Sequence, residues 1–328
     1  MTHHRRREFL SASLALSLPG WATTAGAQSP AAWPQKTIKI LVPNPAGGSA
    51  DLFPRLVSEA LSSKLGQTIV IENKPGAAGN IAAEMLFNAE PDGYTLMAAP
   101  PPPLSINVSL YPKLNYDPAK FVPITVFSLV PNALMVHPSV PANSVQELIA
   151  YAKANPDKFT YGSTGNGTSP HIAGEMLKSQ AGIFTLHIPY RGSGAALQDL
   201  LGGNVDYLLD PGIAFSHVRS GRLRLLAVTS PQRLSMFPDA PTLNELGLKN
   251  FDAGTSHGFW APAGTPAAIV DRLNREINRA LMLPSAVESI KGIGAEPTPM
   301  TPAEFGAVTK ADARRFAQII KERKIVHD

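Results

Sequence analysis

The residues best placed to do chemistry lie in four short loops rich in glycine, hydroxyl and amide groups. The first runs from Asn44 to Asp51 (NPAGGSAD). Gly47 and Gly48 let the backbone approach a ligand closely, with Ala46 and Ser49 on either side. The following pattern is helical, and a helix start offers free N–H groups and the positive end of the dipole to an anion. Asp51 has a structural role open to it, as the cap of that helix. The second loop, 162–169 (GSTGNGTS), alternates Gly162, Gly165 and Gly167 with Ser163, Thr164, Asn166, Thr168 and Ser169. Three glycines could mark only a tight turn, but the hydroxyls and amide between them suit oxyanions held by hydrogen bonds. The third, 189–194 (PYRGSG), presents Tyr190 and Arg191 before two glycines and a helix. Arg191 is either a carboxylate partner or a surface residue. In the fourth, Asp210-Pro211-Gly212, Asp210 either accepts from a ligand amine or hydroxyl or caps a turn.

Other chemistries lack their residues. No Gly-Lys-Ser/Thr follows the first loop and no G-x-G-x-x-G is present, so nucleotide binding is unsupported. There is no G-x-S-x-G elbow and no H-E-x-x-H pair, which leaves a hydrolase without a nucleophile or a metal. Cysteine is absent, which removes disulfides, thiolates and Cys-ligated metals. No cofactor is expected. His137, His171, His187, His217 and His257 suit structural or surface roles, with a ligand contact left open only for His257, beside a crossing strand. A periplasmic enzyme using the same loops, or a structural envelope protein, are the competing classes. The first would need Asp51 and Asp210 for acid–base work, and the second would need flat apolar patches.

The loops must be positioned by a substantial fold. The 328 residues, 44% hydrophobic and 16% charged, suffice for two domains and exclude a disordered chain. Arg5-Arg6-Arg7-Glu8-Phe9-Leu10, an apolar run to Leu18, Pro19-Gly20 and the small-residue site Ala25-Gly26-Ala27 form a twin-arginine-type export signal, residues 1–27. Its ten-residue apolar stretch is about half a membrane span. Removing it takes three arginines and one glutamate, so the net charge falls from +4 to +2 and no basic run remains to argue for nucleic acid. The expected product is soluble, periplasmic and monomeric.

Strand and helix patterns alternate along the remainder. Strands are predicted at 36–43, 68–72 (short and buried) and 94–98, separated by helices 51–65 and 80–88. Pro100 to Pro103 break the pattern. Strands follow at 124–128 and 132–137. A second block comprises helix 144–155, strand 159–162, helix 170–181, strand 186–189, helix 195–202, strand 205–209, a short helix to 220 and strand 223–229. After strand 257–261 the chain is helical at 266–281, 285–291 and 302–324. Such βα alternation predicts parallel strands with helices on both faces and a crevice at the carboxyl ends of the strands.

These loops, with NKPGAAGNIAAE (73–84), EPDGYTL (90–96), SLYPKLNYDP (109–118), SGRLRLLAVTS (220–230) and FWAPAGTP (259–266), resemble the Bug receptors of tripartite tricarboxylate transport systems across the whole mature chain. The resemblance implies an α/β, two-lobed periplasmic-binding-protein fold of the type II, Venus flytrap kind. Each lobe would be a mostly parallel sheet flanked by helices, with C-terminal helices added. Residues 28–128 and 256–328 would form one lobe and 129–255 the other. It further implies a receptor that captures a small carboxylate or related solute between the lobes and delivers it to the membrane subunits of the transporter. Ala46, Gly47, Gly48 and Ser49 match the first carboxylate loop, residues 163–169 match the second, and Asp210 matches an acidic position lining the cleft. Pro100 to Pro103 depart from the small Gly/Thr/Ser residues usual there, and Asn44 stands where an aromatic residue is common. Prolines have no N–H to donate, so Pro101 and its neighbours should supply shape and apolar contact. Four or five hydrogen bonds to an anion, at about 1.5–3 kcal/mol each, exceed the ~8 kcal/mol of micromolar binding before ordering costs. An arginine clamp is not required.

Overall fold

The computed structural model describes residues 33–156 and 158–326. The expected export signal, residues 1–27, lies outside them.

Two sheets of helix-flanked strands form the molecule. The first is built from β1 (Ile38–Val42), β2 (Ile69–Asn73), β3 (Thr95–Ala99), β4 (Val122–Val130), β10 (Thr255–Ala261) and β11 (Glu296–Pro297), in the order β11-β4-β10-β3-β1-β2. The second contains β5 (Ala133–Val136), β6 (Thr160–Ser163), β7 (Leu186–Pro189), β8 (Tyr207–Asp210) and β9 (Arg224–Val228), in the order β7-β6-β8-β5-β9. Helices α1 (Ser49–Leu65), α2 (Asn80–Phe87), α3 (Asn107–Leu110), α4 (Val145–Ala154), α5 (Ser169–Ala181), α6 (Ser193–Leu201), α7 (Phe215–Arg219), α8 (Ala267–Leu281), α9 (Pro284–Gly292) and α10 (Pro302–Arg323) pack around them.

Local sequence explains the elements that matter for the site. In α1, Phe53, Val57, Leu61 and Leu65 recur every four residues and are buried, and Gly66 ends the helix in the left-handed conformation. Together with Ile38, Ile40 and Val42 of β1 and Leu273 and Ile277 of α8 they form one face of the first sheet's core. The other face buries Leu86, Met97, Trp260 and Phe305. The second sheet is covered likewise, by α4 and α5 on one side and by α6 and α7 on the other.

Both sheets are mixed rather than mostly parallel. The βα blocks give parallel pairs, β1 with β2 and β3, and β6 with β7 and β8. The strands that carry the chain between sheets run the other way: β10 is antiparallel to β3 and β4, and β5 to β8 and β9. The chain leaves the first sheet along β4 and enters the second along β5 within two residues. Further differences are local. β2 is an edge strand with half-exposed residues, not a buried one. Pro102–Ile106 begins a helical turn that runs into α3, because a proline in a first turn lacks only an N–H that would be unpaired anyway.

The crossings are tied together. Asn132 donates to Ala253 O at 2.7 Å, Thr229 N to Asn132 O at 2.9 Å and Ala253 N to Thr229 O at 3.3 Å. Helix α10 reaches both cores, burying Phe305 against the first sheet and Phe316 and Ile320 in the second. Arg315 holds the crossing segment by donating to Asp252 O and Gly254 O, while pairing with Asp312 at 2.9 Å.

Candidate functional site

Three helices begin at one place. The N-terminal residues Ser49 of α1, Ser169 of α5 and Ser193 of α6 all line a chamber of about 40 Å3 between the two sheets. Their N-cap residues, Gly48, Thr168 and Gly192, make no side-chain cap hydrogen bond. Elsewhere the fold does use such caps: Ser144 caps α4 and Thr301 caps α10 with a capping box. Three positive dipole ends thus meet without side-chain oxygens of their own to satisfy them. Pro45, Pro100, Pro102, Asn132, Pro211, Thr255 and His257 complete much of the wall, and no charged side chain lines it among the described residues.

A second cavity of about 530 Å3 opens outward and shares Asn44, Pro45, Pro100, Pro102, Thr164, Thr168 and Gly192 with the chamber. Six prolines (43, 45, 75, 100, 102 and 103) stand in its wall. The two lobes touch here. A side chain on Gly192 would meet the Pro45 ring at 3.1 Å, and one on Gly48 would come 3.7 Å from Ser193 Oγ.

The loops are held from behind. Gly47, at φ +87°, donates its N–H to Asp51 Oδ2 at 2.9 Å. Asp51 therefore pins the loop from the third helical position, while Gly48 is the N-cap. Burial pushes the Asp51 carboxyl up, but the hydrogen bonds from Arg55, Gly47 and Asn73 outweigh it and hold the pKa below its ordinary value. In the second loop Ser163 turns inward. Its Oγ lies 2.7 Å from His187 Nε2 and accepts from Gly165 N at 3.1 Å. His187 stacks on His171 with centroids 4.3 Å apart, and His171 Nδ1 accepts from Gly167 N at 3.1 Å. Burial and then the neighbouring His171 and Lys178 lower the His187 pKa to about 3, so the His187 ring is neutral.

Of the expected site residues, Gly48, Ser49, Thr164, Thr168 and Ser169 line the inner chamber. Gly165, Asn166 and Tyr190 line the outer cavity, as does Arg191. Five others line neither. Ala46 and Gly47 are exposed to solvent beside Gly48, and Pro101 has its carbonyl engaged by Leu104 N and Ser105 N while Pro100 and Pro102 face the cleft. Ser163 is the inward strut just described. Asp210 is a turn cap, with Oδ1 accepting from Gly212 N at 2.8 Å and Ala214 N at 3.0 Å. Its carboxyl is buried, and Pro211 occupies the wall instead. Sequence reasoning missed Asn132, Ser193 and Thr255, and gave His257 only a possible contact. The Gly-Ser-Gly at the start of α6 was the available signal for Ser193.

The sequence profile described as the tripartite tricarboxylate transporter family receptor matches residues 53–325. The chain belongs to this family. Among curated relatives, BugT of Bordetella pertussis is 35% identical over 306 residues, spanning 91% of this chain and 94% of BugT. A UPF0065 protein from the tcbD-tcbE intergenic region of a Pseudomonas species is 33% identical over 98% of this chain and 95% of its own. Among solved structures, the periplasmic binding protein BugD superposes with a TM-score of 0.85 at 35% identity, covering 90% of this chain and 100% of BugD. The Rhodopseudomonas palustris protein Rpa4515, solved with adipate, gives 0.86 at 33% identity over 90% and 99%. MatC of the same organism, with bound malate, gives 0.83 at 30% identity over 88% and 100%. As a member of the receptor family, this chain is a two-lobed solute-binding protein, and its three helix starts lie where its lobes meet.

Proposed function

We propose that this receptor captures a small carboxylate in the chamber and hands it to the membrane subunits of a tripartite tricarboxylate-type transporter, without chemical turnover. The convergence of α1, α5 and α6 on one chamber carries the reading. The first-turn N–H groups and the hydroxyls of Ser49, Ser169 and Ser193 are donors, and a carboxylate is an acceptor with about four lone-pair positions. Charge-assisted hydrogen bonds at helix starts need no arginine. Adipate in Rpa4515 and malate in MatC support this ligand class.

Closure follows from the same contacts. Ser49 belongs to a helix of the first sheet, and Ser169 and Ser193 to helices of the second, so a bridging ligand favours the closed arrangement over an open one. We take residues 28–128 with 256–328 as one moving lobe and 129–255 as the other, with the end of α10 as a strap across them. Residues 1–27 direct export, and the mature chain works as a monomer in the periplasm. No described helix is long and apolar enough to cross a membrane. Calorimetric titration of residues 28–328 with mono-, di- and aromatic carboxylates tests the proposal. Saturable one-to-one binding with the ligand recovered unchanged is expected, whereas no binding, or a converted product, would overturn it.

A further inference from the structure

Helix starts explain the donors of the chamber but not its acceptors. Asn132 and His257 line it from the two crossings between the sheets, and they are 0% and 3% exposed. Neither Asn132 Oδ1 nor His257 Nδ1 has a hydrogen-bond partner. Buried polar atoms are paired in the great majority of cases, and one left without a partner destabilises the fold. Two of them at the crossings, with Asn44 Oδ1 also unpartnered in the same wall, need a reason.

Their neighbours fix what they are. Asn132 Nδ2 donates to Ala253 O at 2.7 Å. Exchanging the two amide atoms would set oxygen against oxygen, so the unpartnered atom is an oxygen and an acceptor. His257 Nε2 lies 3.1 Å from Thr255 Oγ1, whose hydroxyl hydrogen is directed to Val130 O at 3.4 Å. In the tautomer in which Thr255 accepts from His257, Nε2 carries the proton and Nδ1 is a bare lone pair. The imidazole stays neutral, since burial lowers its pKa to about 3. Phe53 and Phe127 hold the ring edge-on at centroid distances of 6.0 and 5.8 Å, which leaves it little freedom to turn.

We propose that Asn132 Oδ1 and His257 Nδ1 form a specificity subsite that selects a carboxylate bearing a hydrogen-bond donor, a hydroxyl or an amine or amide N–H, next to its carboxyl group. This deepens the carboxylate reading of the cleft and rests on it. The chamber of about 40 Å3 is small, so it takes only the carboxyl end of the ligand and the groups beside it. Donors of the helix starts meet the carboxylate, and the acceptors of the crossings meet the hydroxyl or N–H. A ligand without that donor would leave both acceptors buried and unpaired, which is how a site built for a hydroxyl rejects the analogue that lacks one. The rest of the ligand extends into the proline-walled cavity outside.

Matched ligands test this. Malate against succinate, and 3-phenyllactate against 3-phenylpropionate, differ only by a hydroxyl beside a carboxyl group. Calorimetric Kd values are measured for the wild type, His257→Phe and Asn132→Leu. In each pair that binds, the hydroxy acid is expected to bind wild type at least tenfold tighter, and the ratio should fall below about threefold in each variant. Equal affinity of the two members for wild type, or a ratio that survives in both variants, would overturn the subsite while leaving carboxylate capture intact. If none of the four acids binds, carboxylate capture falls and this inference with it. Should either variant fail to fold by circular dichroism, the wild-type ratio decides.

Discussion

Replacing Gly48 by proline removes one donor from the first loop while keeping its shape. Gly48 adopts φ −87°, ψ 169°, close to the φ a proline ring imposes, and its carbonyl still accepts from Asp51 N and Leu52 N at 3.0 Å. The preceding residue is a glycine, so the restriction that proline places on its predecessor is tolerable. Gly48→Ala is the matched control: it keeps the N–H, and its Cβ would sit 3.7 Å from Ser193 Oγ, an ordinary contact. One hydrogen bond to a charged group is worth about 1.5–3 kcal/mol. At ~1.4 kcal/mol per tenfold, Gly48→Pro should raise Kd by roughly 10- to 150-fold relative to Gly48→Ala. Isothermal titration calorimetry with one carboxylate that the wild type binds gives both constants, and thermal melts verify that both variants fold. Affinities within twofold of each other would refute the assignment of this backbone N–H to the ligand.

Three further perturbations test other parts of the account. Gly192 sits at φ +105°, ψ 170°, a region essentially restricted to glycine, with the Pro45 ring 3.1 Å from any added Cβ. Gly192→Val should therefore cost about 1–3 kcal/mol of stability in denaturant melts and keep the lobes apart, with a larger radius of gyration in the presence of ligand by small-angle scattering; compaction equal to the wild type would contradict this. Burial pushes the Asp210 carboxyl up to about 6, against the backbone N–H groups of Ala214, Gly212 and Ile213. An unfolded aspartate releases its proton near pH ~4, so between about pH 4 and 6 the folded chain binds more protons and its stability falls as pH rises, by about 3 kcal/mol in all. Asp210→Asn keeps an acceptor for Gly212 and Ala214 and should lose that portion of the pH dependence; parallel stability curves for the two proteins from pH 4 to 7 would count against it. Lastly, the proline wall of the outer cavity predicts that carboxylates with an apolar or aromatic body outrank citrate in thermal-shift screening, and citrate binding tightest would sink that expectation.

Much of the donor half of the site was legible in the sequence. Gly48-Ser49 and Thr168-Ser169 combine glycine or hydroxyl residues with an immediate helix start, a short-range pattern whose meaning does not depend on the rest of the fold. The acceptor half was not legible. Asn132 and His257 are separated by more than a hundred residues and resemble ordinary residues beside strands; only the crossing of the chain between sheets brings them to one chamber. Asp210 misled for the converse reason. A carboxylate at a strand end before Pro-Gly suits a ligand contact and a turn cap equally, and the unpaired N–H groups of residues 212–214 claimed it. The mixed sheets have a similar cause, because strand direction at β4, β5 and β10 is set by where the chain changes lobes, which local periodicity does not encode.

The central claim is that a carboxylate is held at the meeting point of three helix starts. A crystal structure of residues 28–328 with the tightest-binding carboxylate tests it most directly. Carboxylate oxygens are expected within hydrogen-bond distance of the first turns of α1, α5 and α6, at Ser49, Ser169 and Ser193. A carboxylate bound outside this chamber, or held there by Arg191 instead of the helix starts, would contradict it.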